Sequence, residues 1–237
     1  MRAGAAKPAR MIFPRPVRAV VFDMDGLLVD TEAPVRDALM SASAAIGREL
    51  PLSVFMSMVG TTGAHSDRIL VEHFGEGFEL EPYLAEVRRL LEISFDIGVP
   101  LKPGAAELLA LLDEVGIPKA LVTSSSRRAV DRHLPAEVVA QFSTLITSES
   151  VERGKPHPEP YLKAAAALGM APPDCLALED SHNGVRSAHA AGMMAVMVPD
   201  LLAATEEMHE KCVAIAQSLH EVRLAISLPG AWAASRP

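Results

Sequence analysis

Acidic, hydroxylic and basic residues stand where short apolar runs end. The first pair, Asp23 and Asp25, closes the stretch "VVFDMD" and is followed directly by Gly26. An aspartate flush with a strand end can serve as a nucleophile, a metal ligand or a capping residue, and "DG" is also a plain turn signal. Two carboxylates this close repel and raise each other's pKa unless a cation lies between them, which points to a metal, a division of roles, or both. A second acidic pair, Glu179 and Asp180, ends "CLALED". Oxygen ligands with open positions suit Mg2+, although Asp180 is equally placed to cap a helix starting near Ser181. Thr123 and Ser124 open the "TSSS" that follows "KALV". Their hydroxyls and the following N–H groups can hold a phosphoryl oxygen, or simply cap a helix. Lys155 lies in "RGKPHPEPYL", whose prolines narrow the backbone choices and favour an extended conformation at Lys155 itself. A lysine so placed can neutralise phosphate or hold a nucleophilic aspartate.

Positioning these groups requires strands that deliver them to one edge. Unbroken apolar runs at 18–23, 118–123, 175–180 and 194–198 are short buried strands, the last also compatible with a buried helical piece. Helical patterns at 103–116 and 181–192 fall between them, each closed by a glycine. This alternation predicts an α/β fold, a doubly wound, Rossmann-like parallel sheet whose ligands collect beyond the carboxyl ends of the strands. Residues 33–100 break the rhythm: helical patterns at 33–46, 64–74 and 79–95 with no convincing strand predict an inserted all-helical cap. The expected division is a disordered leader at 1–17, a catalytic core at 18–32 and 101–226, the cap at 33–100 and a tail at 227–237.

A hydrophobic content of 49% with only 4% aromatic residues suits helices packed on buried strands better than an aromatic-rich sandwich. The net charge of −8 includes a basic, acid-free N-terminus, so the remaining chain is more acidic still. Such a surface repels a nucleic-acid backbone, so any phosphate bound is expected to be small and held by a local pocket. No apolar run is long enough for a membrane span, and the leader lacks a signal-peptide core; a cytoplasmic protein is expected. Cys175 and Cys212 stand apart, without CxxC spacing, and are expected as reduced thiols. His157, His182 and His189 have no metal-ligand arrangement.

In order along the chain, "FDMDGLLVDTE", "LVTSS", "GKPHPEPY" and "LEDSHNGVRSAHAAGM" resemble the four motifs of the haloacid dehalogenase-like hydrolases, specifically the branch of phosphatases and β-phosphoglucomutase-like enzymes with a helical cap after the first strand. The resemblance implies that Asp23 attacks phosphorus to form an aspartyl-phosphate, and that Asp25 protonates the leaving oxygen and then activates water. It implies Mg2+ held by the Asp23 and Asp180 side chains and the Asp25 backbone carbonyl, with Glu179 orienting its waters. Thr123, Ser124 and Lys155 would bind the transferring group. The dehalogenases proper lack an aspartate at the place of Asp25, so its presence argues for phosphoryl chemistry. The mutases' cap histidine is replaced by Val35, and the lysine of phosphonatases has no counterpart between Glu32 and Pro100. The expected activity is therefore Mg2+-dependent hydrolysis of a sugar phosphate or phosphoglycolate type of substrate. A phosphomutase and a non-catalytic phospho-ligand binder are the alternatives. Selectivity is expected in the cap, around Thr61, Thr62, His65 and Arg68.

Overall fold

The structure is a computed structural model that describes residues 11–59 and 63–233. Six parallel strands form one sheet: β1 (Ala19–Phe22), β2 (Lys119–Val122), β3 (Thr144–Ile146), β4 (Cys175–Glu179), β5 (Met194–Met197) and β6 (Ala214–Ile215), in the order β3-β2-β1-β4-β5-β6. Their unbroken apolar sequences follow from burial on both faces. Along β1, Val20 and Phe22 enter one core layer with Leu108, Leu112, Leu121 and Val222, whereas Ala19 and Val21 enter the opposite layer with Val122, Tyr161, Ala164 and Ala188. Strand order reverses direction at β1 and β4, whose carboxyl ends lie side by side; Phe22 is paired with Leu178, and the Asp23 amide donates to the Leu178 carbonyl at 3.0 Å. This is the crevice in which open α/β sheets bind ligands.

Four helices intervene between β1 and the rest of the sheet: α1 (Glu32–Ala45), α2 (Leu52–Met58), α3 (Gly63–Phe74) and α4 (Leu80–Ile97). They form the expected helical cap and share an apolar centre of their own, including Leu39, Phe55, Met58, Leu70, Tyr83 and Val87. The Tyr83 hydroxyl donates to the Leu39 carbonyl at 2.9 Å, which ties α4 to α1 and gives the buried phenol its partner. The periodic segments were legible; α2, seven residues of "LSVFMSM", is too short to carry a period.

The cap joins the core through two adjacent connections. The Asp30 amide donates to Pro100, the Lys102 amide to Leu28, and Val29 bridges Leu101 in antiparallel fashion. Beyond it, the Lys102 ammonium reaches Asp200 at 2.6 Å. The remaining helices are α5 (Ala105–Glu114), α6 (Arg127–His133), α7 (Ala136–Val139), α8 (Glu159–Ala167), α9 (His182–Ala190), α10 (Glu206–Lys211) and α11 (Leu219–Ile226). Near the two ends of the described residues, Val17 is fully buried and pairs with Trp232. Both cysteines are free thiols, as expected, and burial pushes each up to about 11. No helix among the described residues is long and apolar enough to cross a membrane.

Two of the expected caps are resolved into single residues. Ser126 caps α6 by accepting from the Ala129 amide at 3.2 Å, and Ser181 caps α9 by accepting from Gly184 at 3.1 Å. Asp180 is thereby left out of the capping role. Gly184 has a second duty: a Cβ there would lie 1.8 Å from the Glu179 carboxyl carbon, because α9 crosses directly over the end of β4. Helix propensity alone favours alanine over glycine by about 1 kcal/mol. Gly184→Ala is nevertheless expected to lower the urea midpoint, because the added methyl must displace the Glu179 carboxylate or shift α9. A midpoint raised or unchanged would mean that this packing is not the constraint.

Candidate active site

The carboxyl ends of β1, β2 and β4 bring the four sequence clusters together. Asp23, Glu179 and Asp180 each offer an oxygen within 4.8 Å of the others, from buried or half-buried side chains. Lys155 arrives from the loop after β3, where its peptide bond to Pro156 is cis. Its ammonium lies 2.5 Å from Asp23 Oδ1, 2.6 Å from Glu179 Oε1 and 3.1 Å from the Val122 carbonyl. One lysine therefore answers two of the three carboxylates directly.

Glu179 is saturated by the protein itself. Besides Lys155, its Oε1 accepts from the Tyr161 hydroxyl at 2.6 Å; its Oε2 accepts from the Ser181 hydroxyl at 2.9 Å and the Ser181 amide at 3.2 Å. Sequence reasoning did not find Tyr161, which is fully buried on α8 and reads as an ordinary core aromatic. Burial raises Tyr161 well above its usual range, and the carboxylates of Glu179 and Asp23 add to that, so the phenol remains a donor.

The electrostatics of the cluster are unbalanced. Burial pushes Asp23 up to about 8 against the pull of Lys155, with Glu179 and Asp25 contributing further upward. Burial likewise raises Asp180 well above the usual carboxylate range, reinforced by Asp23 and Glu179. Burial would lower Lys155, but the charges of Asp23 and Glu179 outweigh it and raise the ammonium instead. With three carboxylates around one firmly charged lysine, the oxygen donors and the surplus negative charge fit a hard divalent cation. Gly26, at φ +81°, allows the close approach: a Cβ there would lie 2.3 Å from Asp180 Oδ2. The same position would lie 3.5 Å from Asp200 Oδ2, the Asp200 oxygen not bonded to Lys102.

Asp25 faces a different environment. Its Oδ2 accepts from the Ser125 hydroxyl at 2.7 Å and the Thr123 hydroxyl at 3.2 Å, while His133 Nδ1 stands 3.7 Å from Oδ1. Burial pushes Asp25 upward, yet His133, Ser125 and Thr123 together outweigh it and hold the carboxyl below its usual range. The two aspartates of one turn are thus driven in opposite directions. Ser124 is exposed at the end of β2, next to Thr123, whose hydroxyl also accepts from the Ser125 amide at 3.0 Å. Ser125 was legible only as part of a serine run, and His133 carried no signal, because its relation to Asp25 spans more than a hundred residues.

On the cap side, a cavity of about 280 Å³ is lined by residues that include Glu32, Val35, Leu39, Met58, Ser66 and Asp67. Glu32 is raised by burial and by the neighbouring charges of Asp200, Asp25 and Asp30, which places this wall close to the cluster. Of the expected selectivity residues, Thr61 and Thr62 lie outside the described residues. His65 and Arg68 are exposed and contact one another at 3.2 Å, away from the cavity lining. The neighbouring Ser66 and Asp67, not singled out by sequence, occupy the lining instead.

The model of the haloacid dehalogenase-like hydrolases matches residues 17–192. Hexitol phosphatase A of Escherichia coli is 37% identical over 184 residues, covering 76% of this chain and 82% of that protein. Hexitol phosphatase B of the same organism is 32% identical, covering 80% of this chain and 86% of that protein. A HAD family hydrolase from Deinococcus radiodurans, solved with bound phosphate and sodium, superposes with a TM-score of 0.80 at 28% identity, covering 93% of this chain and 99% of that one.

The charge imbalance sets a measurable expectation. In metal-free protein, Asp180→Asn removes repulsion and is expected to leave the melting temperature equal to wild type or a few degrees higher. Millimolar Mg2+ should raise the melting temperature of wild type but not of the variant. Thermal scans with and without chelator decide it, and an identical Mg2+ shift in both proteins would remove Asp180 from the cation site.

Proposed function

Since the chain belongs to the haloacid dehalogenase-like hydrolases and is a phosphoric monoester hydrolase, we propose that it hydrolyses a small, hydroxyl-rich phosphate ester through an aspartyl-phosphate on Asp23. The carrying observation is the opposed treatment of the two aspartates: Asp23 pinned by Lys155 at the end of β1, Asp25 turned onto hydroxyls two residues later. Mg2+ would be held by the carboxylates of Asp23 and Asp180 and by the Asp25 backbone carbonyl. When bound, it would supply positive charge against the surplus carboxylates and the phosphoryl oxygens. Glu179 supports the cation site indirectly, since its oxygens already hold Lys155, Tyr161 and Ser181.

The chain's own groups then divide the reaction. Thr123, Ser124 and Lys155 receive the phosphoryl oxygens, and Lys155 orients the Asp23 carboxylate. An Asp23 oxygen bonds to phosphorus as the ester P–O bond breaks, and Asp25 gives its proton to the departing alkoxide. Water next attacks the aspartyl-phosphate, Asp25 takes the water proton, and the acyl P–O bond breaks to release phosphate and restore Asp23. In the observed arrangement Asp25 is held as the carboxylate that the second half requires; the first half needs the same group protonated, with Oδ2 still able to accept from Ser125 and Thr123.

The cavity under the cap suits the leaving group. At about 280 Å³ it lies near the lower end of ordinary ligand pockets, and its two carboxylates, Glu32 and Asp67, are built to accept from hydroxyls. The same carboxylates repel a second anionic group, so sugar and polyol phosphates fit better than phosphoglycolate or a bisphosphate.

Asp23→Asn is expected to lower kcat at least about 10³-fold with p-nitrophenyl phosphate and Mg2+, and Asp25→Asn by about 10²–10⁴-fold with accumulation of acid-trapped phosphoenzyme. Full activity in Asp23→Asn would sink the nucleophile assignment. Across a panel of phosphate esters, kcat/KM for neutral polyol phosphates should exceed that for phosphoglycolate by about tenfold or more, and Glu32→Gln/Asp67→Asn should narrow the gap. A wild-type preference for the anionic esters would overturn the proposed leaving-group class.

A further inference from the structure

We infer that His133 is a positioning residue that holds Asp25 for proton transfer and is itself held by the last turn of cap helix α4. The inference rests on the proposed acid–base role of Asp25 and extends it to a residue outside the four motif segments.

The geometry is asymmetric in an informative way. Asp25 Oδ2 is engaged by two hydroxyl donors, and Oδ1 is the oxygen that faces His133 Nδ1 at 3.7 Å. The His133 side chain is 11% exposed, and its Nδ1 is fully buried without a hydrogen-bond partner among the described residues. A buried nitrogen left unpaired is costly, and this one stands only about half an ångström beyond the ordinary N–H···O limit of about 3.2 Å. As the Nδ1–H tautomer, His133 would complete a three-donor clamp on one carboxylate after a shift of that size. The clamp fixes where the Asp25 carboxyl can point, and therefore which oxygen meets the leaving group or the attacking water.

The packing of the ring supplies the second half of the argument. Phe95 of α4 lies against the His133 ring, with centroids 4.4 Å apart at 51°. Arg132, the preceding residue, is stacked 5.7 Å from the Phe95 centroid and donates to the Glu92 carbonyl and the Asp96 carboxylate, each at 2.9 Å. The end of α6 thus grips the end of α4, and Phe95 packs with the core layer of the sheet instead of the cap's own centre. Three residues after Phe95, Gly98 ends α4 and the chain enters the paired connection at Val29 and Leu101. A rotation of the cap about that connection acts on Phe95, and through the ring contact on His133 and Asp25. Hinge motion and the aim of the acid–base group are thereby linked by one stack of side chains.

The test separates the two chemical steps. With enzyme in excess over p-nitrophenyl phosphate, nitrophenolate release reports attack by Asp23 on an ester whose leaving group needs no proton, and phosphate release reports the Asp25-dependent hydrolysis. His133→Ala is expected to leave nitrophenolate release within about twofold of wild type and slow phosphate release about 10–100-fold. With glycerol phosphate, whose alkoxide needs the proton, kcat should fall to a similar extent while KM holds. His133→Asn, which returns a nitrogen donor near the Nδ1 position, should recover most of the loss, and Phe95→Ala should reproduce it in part. Equal slowing of both steps, a rise in KM with kcat intact, or no recovery in His133→Asn would each overturn the inference in favour of a packing role. If wild-type enzyme forms no phosphoenzyme at all, the reading of Asp23 fails and this inference with it.

Discussion

Three carboxylates must share one low-dielectric corner with a single lysine, and much of the surrounding architecture answers that demand. Asp23 and Asp180 stand there because β1 and β4 are adjacent parallel strands that end in register. Glu179 is tolerable in full burial only because four donors from Lys155, Tyr161 and Ser181 surround it. Breaking such an arrangement by removing one partner is costlier than never having built it, since the remaining charge cannot return to water. The corner is therefore a point where stability has been surrendered to charge, and a bound cation would offset that loss.

The sequence exposed this corner unevenly, for physical reasons. Fully buried parallel strands produce continuous apolar runs, so β1, β2, β4 and β5 were legible together with the acids and hydroxyls at their ends. β3 and β6 are three and two residues long, too short for any pattern, and the helix α2 has fewer than two turns of period. Residues whose role depends on chemistry at a strand end could be read locally. Those whose role is assigned by the tertiary fold could not: nothing local in the sequence marks Tyr161 or His133. In the cap, composition drew notice to His65 and Arg68, but the turn of α3 directs these two outward and places Ser66 and Asp67 on the cavity. On a helix, neighbours in sequence point in different directions, so choosing the right residues requires the helix's orientation and not only its existence.

The division of hydrophobic burial explains how two bodies can share one site. The cap has its own apolar centre, which Leu201 joins from outside the insertion. Only its outgoing end, around Phe95, is incorporated into the core layer. Such an arrangement makes the final turn of α4 the point through which a shift of the cap reaches the sheet.

The paired connection at Val29 and Leu101 has one more implication. Because the chain leaves the core and returns to it through two segments hydrogen-bonded side by side, the insertion interrupts the core chain at one short gap, whatever lies beyond it. A sheet closed in this way treats the cap as a replaceable fitting: helices can be lengthened, recast or exchanged without rerouting any strand. Diversity in the lid then costs the sheet little so long as the last turn of α4 keeps its hold on α6.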